Sequence, residues 1–176
     1  MSARKSKPKY DFTDAGVQEQ LQRAIDEGRK LIFVDEVAFT RTSCLKLEWS
    51  RKRENITVVL RGSTGNYMTA IAGISYARGI ELYAMQHDSV DQEDFRDYLA
   101  TLIRSNAGKK LAVFLDNLAV HHTDLVTDFC KEKDVRLIFN VTYSPDFNPI
   151  EQVFSVVKNH YKRVQANYEV NEIAYD

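Results

Sequence analysis

Residues 143–151 read Tyr143-Ser144-Pro145-Asp146-Phe147-Asn148-Pro149-Ile150-Glu151 and turn a strand into a helix. The apolar run before them, at residues 136–141, has the length of a strand, and Ser-Pro-Asp ends it as a turn. Asn148 is a favourable helix N-cap, and Pro149 suits the first helical position because its missing N–H costs nothing there. Glu151 follows the cap by three residues, which predicts a capping box and a purely structural role for this glutamate.

Two further carboxylates end apolar runs. Residues 30–37 and 111–117 are almost continuously apolar, and their polar residues come only at the carboxyl end. Such runs are typical of strands buried on both faces. Asp35 and Asp116 would then lie at strand ends, about 5 Å apart if the two strands are neighbours in a sheet. The carboxyl ends of parallel strands are also where open α/β sheets bind ligands.

The rest of the chain alternates between β-type and helical patterns. Residues 77–79 separate two β-rich runs and contain a glycine, which predicts an antiparallel hairpin. The order of the elements indicates an α/β fold, a mixed sheet of about five strands flanked by helices. Helices are predicted at residues 14–27, 91–106, 123–133 and 149–167, and strands at 30–37, 45–49, 67–76, 80–86, 111–116 and 136–141, with a loop at 51–55.

Length and composition indicate one domain. The 176 residues are 44% hydrophobic and 28% charged, an ordinary globular balance that excludes a disordered or membrane protein. We expect a basic arm and a short support helix at residues 1–29, the main domain at 30–168 and a tail at 169–176. Neither a membrane-spanning run nor a signal peptide is visible, so we expect an intracellular protein with Cys44 and Cys130 reduced.

The net charge of −1 does not by itself indicate a nucleic-acid-binding protein. Basic residues are nevertheless clustered within residues 1–10, 51–53 and 158–163. Such clusters are either solvated faces or phosphate contacts, and the pattern alone does not decide between them.

Asp35, Asp116 and Glu151 together predict a metal site. Clustered carboxylates repel one another unless cations lie among them, and their hard oxygen atoms suit Mg²⁺ or Mn²⁺. Two such ions would support an in-line phosphoryl displacement. Alternatively, each aspartate caps a helix or anchors a loop. Glu36 is another candidate acid, but in a strand it should point to the face opposite Asp35.

His121 and His122 leave several interpretations open. They could be zinc ligands, but no cysteine or further histidine completes a set at metal spacing. A polar role at the entry to the next helix is the simpler alternative. A histidine beside a metal-bound phosphate could also position a nucleophile.

Three ordered motifs carry a resemblance to a known family. They are Phe33-Val34-Asp35-Glu36, then Leu115-Asp116-Asn117 followed by His121, and then the stretch at residues 143–151. Together they resemble the catalytic domain of the Tc1/mariner and bacterial insertion-sequence transposase superfamily. Asp116 and Glu151 are separated by 34 residues, the spacing of its Asp-Asp-Glu subgroup. The likeness spans roughly residues 31–162.

The resemblance implies an RNase H-like fold and a DDE endonuclease that cuts and pastes DNA. Asp35, Asp116 and Glu151 would hold two Mg²⁺ or Mn²⁺ ions. Water would be the nucleophile for cleavage and a DNA 3′-hydroxyl the nucleophile for joining. In this family-based interpretation Asn117, His121 and Asn148 shape the site, and Lys158 and Arg163 contact DNA phosphates.

The resemblance also implies partners and a location. We expect the chain to bind transposon ends and target DNA as a homodimer or larger assembly. Only about 30 residues precede the first motif, too few for the usual helix-turn-helix region, so a separate DNA-binding domain or subunit is expected. The location would be the nucleus in a eukaryote and otherwise the cytoplasm or nucleoid. Two alternatives remain: a domesticated, non-catalytic DNA- or protein-binding subunit, and a host RNase H-like nuclease.

Overall fold

The computed structural model describes residues 14–40, 68–141, 144 and 147–173 of the chain. The predicted strand at 45–49, the loop at 51–55, the basic arm and Cys44 lie outside these residues. The described elements are α1 (Asp14–Asp26), β1 (Lys30–Phe39), β2 (Met68–Ser75), β3 (Gly79–Gln86), α2 (Gln92–Ser105), β4 (Leu111–Leu115), a 3₁₀ helix (Ala119–His122), α3 (Asp124–Glu132), β5 (Arg136–Phe139) and α4 (Ile150–Ile173).

The five described strands form one mixed sheet in the order β3-β2-β1-β4-β5. β1 and β2 are antiparallel, and so are β2 and β3, as the hairpin signal predicts. β4 pairs with β1 in parallel, and β5 pairs with β4 in parallel. Since α2 leads into β4 and α3 connects β4 to β5, the parallel half has the crossover helices that parallel strands require. The predicted α/β class and mixed sheet are therefore confirmed.

Helices cover both faces of the sheet. α2 and α3 pack on one face, where Phe95, Leu99 and Val126 join the side chains of β1 and β4 in the main core. On the other face α1 packs over β4 and β5, and α4 packs over β1 and β2. The five residues of β4 are all buried, which accounts for the near-continuous apolar character of that run.

Two helix ends show the usual capping chemistry, and a third does not. Gly28 has a φ of 65° just after α1, a conformation that favours glycine and ends the helix. Asp91 caps α2 through a capping box with Asp94. Thr123 occupies the N-cap position of α3, but its side chain makes no capping bond and donates instead to the carbonyl oxygen of Val120, because the preceding 3₁₀ helix supplies that acceptor.

The last helix is longer and less buried than its pattern predicts. α4 continues to Ile173, beyond the predicted end near residue 167, and no glycine or proline interrupts it. Ile150 and Phe154 are buried as expected. Val157 is 42% exposed and Val164 is 36% exposed, although helical spacing puts both on the same face as Ile150. Ile150 and Phe154 anchor the start of α4 to the sheet, and further along the helix the ring of Tyr161 packs on Phe39 with their centroids 5.0 Å apart.

In the described part of the chain, no helix has both the length and the apolar character needed to cross a membrane. Cys130 is a free, buried cysteine in α3. Burial raises the pKa of its thiol to about 12, so the side chain packs as a neutral apolar group. This agrees with the expected reduced state of this residue.

Replacing Gly73 in β2 by alanine is predicted to destabilise the fold. A Cβ at this position would lie 2.7 Å from the hydroxyl oxygen of Tyr98, which donates to the carbonyl oxygen of Leu82. We expect Gly73→Ala to lower the free energy of unfolding by about 1–3 kcal/mol, the usual range for overpacking. Urea denaturation measures it.

The matched background is Tyr98→Phe, which removes the hydroxyl group and therefore the closest contact. In this background Gly73→Ala should cost less than in the wild type. An equal cost in the two backgrounds would contradict the assigned clash.

Candidate active site

Asp35 and Asp116 lie at the same edge of the sheet. The parallel ladder between β1 and β4 ends at the pair Phe33 and Phe114, and each aspartate lies two residues further along its own chain segment. Asp35 is within β1 and only 8% exposed, while Asp116 is half-buried just after β4. The parallel register therefore brings these two predicted site residues together.

The start of α4 reaches the same edge through packing on the sheet. Val37 and Phe39 alternate with the residues between them, so they share the face of Asp35, and both pack against Ile150 and Phe154. Glu151 is the next residue after Ile150 and is exposed. The apolar contacts beneath α4 thus position Glu151 near Asp35 and Asp116.

Burial and the neighbouring acids together set the pKa of Asp35. Burial raises the pKa of its carboxyl group, a hydrogen bond of 2.8 Å from the Glu36 N–H lowers it, and repulsion by Asp116, Glu36 and Glu151 raises it further. The result is a pKa of about 7 instead of the usual 3.8. Four carboxylates therefore act on one small region of the protein.

The predicted capping box at α4 is only half formed. The Asn148 side-chain oxygen accepts a hydrogen bond of 3.4 Å from the Ile150 N–H, so this buried asparagine does begin the helix. The reciprocal hydrogen bond, in which the Glu151 carboxylate would accept from the Asn148 N–H, is absent from the contacts between described residues. Among those residues, none donates a hydrogen bond to this carboxylate. The structural interpretation of Glu151 therefore lacks its defining contact.

Asn117 links the ends of two strands. Its amide nitrogen donates to the backbone carbonyl of Asn140 at the end of β5, and its oxygen lies 3.3 Å from Nε2 of His122. Asn140 in turn donates to the carbonyl oxygen of Ser144 at 2.7 Å. These amides connect the loop after Asp116 to the turn that leads into α4. Sequence reasoning missed Asn140, whose signal was a lone polar residue within an apolar run.

His121 is completely buried, and the structure does not place it as a surface residue at a helix entry. Its ring lies 4.3 Å from that of Phe95, centroid to centroid. Nε2 is 2.9 Å from Glu36 Oε1, and Nδ1 is 3.0 Å from Asp116 Oδ1. Burial lowers the pKa of this histidine, but the bonds to Asp116 and Glu36 outweigh burial and raise it to about 9.

Glu36 lies on the face opposite Asp35, as strand alternation predicts. It meets His121 beneath α2, on the side of the main core. Ligand atoms of Glu36, Asp116 and His121 lie within 4.8 Å of one another, a spacing that could hold a metal ion. However, the two ring nitrogens of His121 each face a different carboxylate, so an ion bound by either nitrogen would displace one of these contacts.

Asp35, Asp116 and Glu151 fit a hard cation better. One oxygen atom of each aspartate is engaged by the backbone: Asp35 Oδ1 by the Glu36 N–H and Asp116 Oδ1 by the Leu118 N–H. Among the described residues no donor contacts the second oxygen atom of either aspartate. All three acids thus offer oxygen ligands, the type that Mg²⁺ and Mn²⁺ prefer.

Lys158 and Arg163, the predicted DNA contacts, are both exposed on α4. Their side chains therefore reach solvent, where a phosphate backbone could meet them. No described contact ties either of them to the carboxylates.

Comparison with known proteins identifies the family of the chain. A family model described as "DDE superfamily endonuclease" matches residues 30–172. None of the curated proteins matches the chain in sequence. Solved structures that resemble it include the Mos1 transposase paired-end complex with the left transposon end, at 14% identity and a TM-score of 0.62, covering 91% of this chain and 53% of that one.

Two further Mos1 structures resemble the chain to a comparable degree. The mariner paired-end complex with Mn has 14% identity and a TM-score of 0.62 over 99% of this chain and 60% of that chain. The isolated Mos1 catalytic domain has 13% identity and a TM-score of 0.56 over 89% and 76%. The chain spans about half the length of the first of these Mos1 chains. The expected RNase H-like fold is therefore confirmed, and the chain belongs to the DDE superfamily endonuclease family.

Proposed function

We propose that this chain is the catalytic domain of a Tc1/mariner-like transposase that cleaves DNA and joins it to a target. Asp35, Asp116 and Glu151 are the catalytic carboxylates and hold two Mg²⁺ or Mn²⁺ ions. The observation that carries the proposal is their convergence: two parallel strand ends and the start of α4 meet, and burial, together with repulsion from the neighbouring acids, raises the pKa of Asp35 to about 7.

The choice of ion follows from the ligands and from the structural relatives. Oxygen donors without sulfur or nitrogen suit Mg²⁺ and Mn²⁺, and Mos1 was solved with both. When bound, such ions activate an attacking oxygen and stabilise a leaving oxygen at phosphorus. In this chain their positive charge would also relieve the repulsion around Asp35.

The three carboxylates differ in their exposure to solvent. Asp35 forms the buried floor of the site, Asp116 its half-buried wall and Glu151 its exposed rim, so a DNA phosphate would approach from the side of Glu151. An oxygen of water, or of a DNA 3′-hydroxyl group, forms a new bond to phosphorus, and the bond from phosphorus to the leaving oxygen breaks. The first reaction cuts the strand, and the second joins it.

DNA is the proposed partner. Mos1 structures include a paired-end complex with a transposon end and a strand transfer complex. By analogy, two copies of this chain would hold two ends, with recognition supplied by a separate DNA-binding domain or subunit. Lys158 and Arg163 would contact phosphates. The protein would act where its DNA lies, in a nucleus or a bacterial nucleoid.

A non-catalytic binding subunit is the main competing function. It would need no ion, and the acids would then be caps and loop anchors. Glu151 argues against it, because its carboxylate makes no capping bond among the described residues. Metal dependence separates the two functions.

We predict that Asp116→Asn abolishes cleavage. The amide cannot supply a negatively charged oxygen ligand, so Mn²⁺-dependent nicking of supercoiled plasmid DNA should fall at least about 100-fold. Asp97→Asn is the matched control, because Asp97 is an exposed acid on α2. It should nick at the wild-type rate.

Full nicking by Asp116→Asn would contradict the assigned mechanism. If the wild-type chain is itself inert, the same pair of variants is compared in Mn²⁺ binding by calorimetry. Loss of binding in Asp116→Asn alone supports the site, and equal binding in both variants refutes it.

Asp35→Asn should stabilise the metal-free protein while removing its response to metal. The folded-state pKa of Asp35 is raised to about 7 from 3.8, so ionisation makes the wild type lose stability as pH rises between these values. At pH 8 in EDTA the variant should exceed the wild type by on the order of 2–4 kcal/mol. Mn²⁺ should raise the Tm of the wild type only.

Thermal unfolding at pH 5 and pH 8 measures both effects. The advantage of Asp35→Asn should be larger at pH 8 than at pH 5. An advantage that does not change with pH, or an equal Mn²⁺ shift in the two proteins, would contradict the clustered-acid description.

Replacing Lys158 and Arg163 together by alanine should weaken DNA binding. Each lost phosphate contact should also reduce the slope of log affinity against log salt by about 0.9. Fluorescence anisotropy on duplex DNA across a salt series measures both quantities. Lys109→Ala is the control, because Lys109 is an exposed lysine in the turn after α2; an unchanged slope in the double variant would exclude α4 from the interface.

A further inference from the structure

A fully buried histidine beside a candidate metal ligand requires an explanation. His121 is 0% exposed and lies on the ring of Phe95, in surroundings that would suit an apolar residue. Burying an imidazole without partners costs free energy, so its polar atoms must be bonded. Both of its nitrogens in fact meet carboxylates.

The two contacts lie on opposite sides of the ring. Nε2 is 2.9 Å from Glu36 Oε1, and Nδ1 is 3.0 Å from Asp116 Oδ1 and 3.4 Å from the Asp116 carbonyl oxygen. Each ring nitrogen therefore lies within hydrogen-bond distance of a carboxylate oxygen, and the ring is held at both ends.

Glu36, His121 and Asp116 form a side-chain bridge that runs from the core towards the candidate site. The Glu36 side chain is 11% exposed and that of Asp116 is 37% exposed, with the completely buried ring between them. The inner end is therefore enclosed by the protein, and the outer end carries the carboxylate that faces the other acids. His121 thus links the core side of the sheet to Asp116.

The bridge also joins β1 to the segment after β4 at a point beyond the end of their backbone pairing. The parallel ladder between β1 and β4 ends at Phe33 and Phe114. Glu36 comes from β1 beyond that point, and Asp116 follows β4. A side-chain link thus replaces backbone pairing at the edge where Asp35 and Asp116 must keep a fixed separation.

The contacts around Asp116 engage only one of its two carboxylate oxygens among the described residues. Oδ1 accepts from the Leu118 N–H at 3.1 Å and lies against the His121 ring. Among the described residues no donor contacts Oδ2. The carboxylate is therefore held by one oxygen, with its second oxygen in a defined direction.

We propose that His121 is a positioning residue that orients Asp116 for metal binding, with Glu36 as its anchor in the core. The proposal rests on the proposed function, because it assumes that Asp116 is a ligand. His121 touches neither DNA nor ion in this account. It acts through Asp116 alone.

Two substitutions separate the two halves of the bridge. In His121→Asn the side-chain amide lies near the position of Nδ1 and keeps a donor for Asp116. In His121→Gln the amide lies near the position of Nε2 and keeps a donor for Glu36. Val126→Ala is the matched control, since Val126 is fully buried in the same core and its side chain has no polar atom to bond Asp116.

Calorimetric titration with MnCl₂ gives the decisive readout. We expect His121→Gln to weaken Mn²⁺ binding by about 10–100-fold, the range for lost outer-shell partners, and His121→Asn by only a few fold. Val126→Ala should keep wild-type affinity although it is less stable. Unfolding in EDTA shows that each variant is folded.

Equal losses in His121→Asn and His121→Gln, a larger loss in His121→Asn, or losses no greater than that of Val126→Ala would overturn the positioning role. Absence of Mn²⁺ binding by the wild type would instead overturn the proposed function and the positioning role with it.

Discussion

The parallel pairing of β1 with β4 is the constraint on which the site depends. Their register places Asp35 and Asp116 two residues beyond the last backbone pair, at the edge of the sheet where strand ends bind ligands. A shift of one residue in either strand would turn its aspartate to the other face. The buried, continuously apolar sequences of both strands make such a shift costly, because every side chain would change its environment.

Because side chains alternate along β1, Asp35 and Glu36 point to opposite faces of the sheet and have different roles. Asp35 faces α4, whose first turns pack on Val37 and Phe39 and bring Glu151 to the site. Glu36 faces the main core and holds His121. One short segment of strand therefore supplies both a candidate ligand and the anchor for the residue that supports another ligand.

The fold was largely predictable because its signals are local. Apolar runs, glycines after helices and the hairpin turn identified every described strand and all four described helices to within a few residues, apart from the far end of α4. The role of Asn148 at the start of that helix was also readable from neighbouring residues. Patterns of this kind depend on spacing along the chain, which the sequence displays directly.

The environment of His121 was not predictable in the same way. Its burial depends on Glu36, which is 85 residues away in the chain, and on the ring of Phe95 in α2. The same limit applies to Thr123, whose hydroxyl group bonds to Val120 in a 3₁₀ helix without a sequence signal. The exposure of Val157, next to positions of the same helix face that are packed, shows that apolar spacing alone does not predict the burial of each residue.

A crystal structure with Mn²⁺, read in an anomalous difference map, tests the metal site most directly. We expect two peaks among Asp35, Asp116 and Glu151, with His121 still between Glu36 and Asp116. No peak at these three acids, or a single ion bound by His121 and Glu36, would exclude the three-carboxylate site.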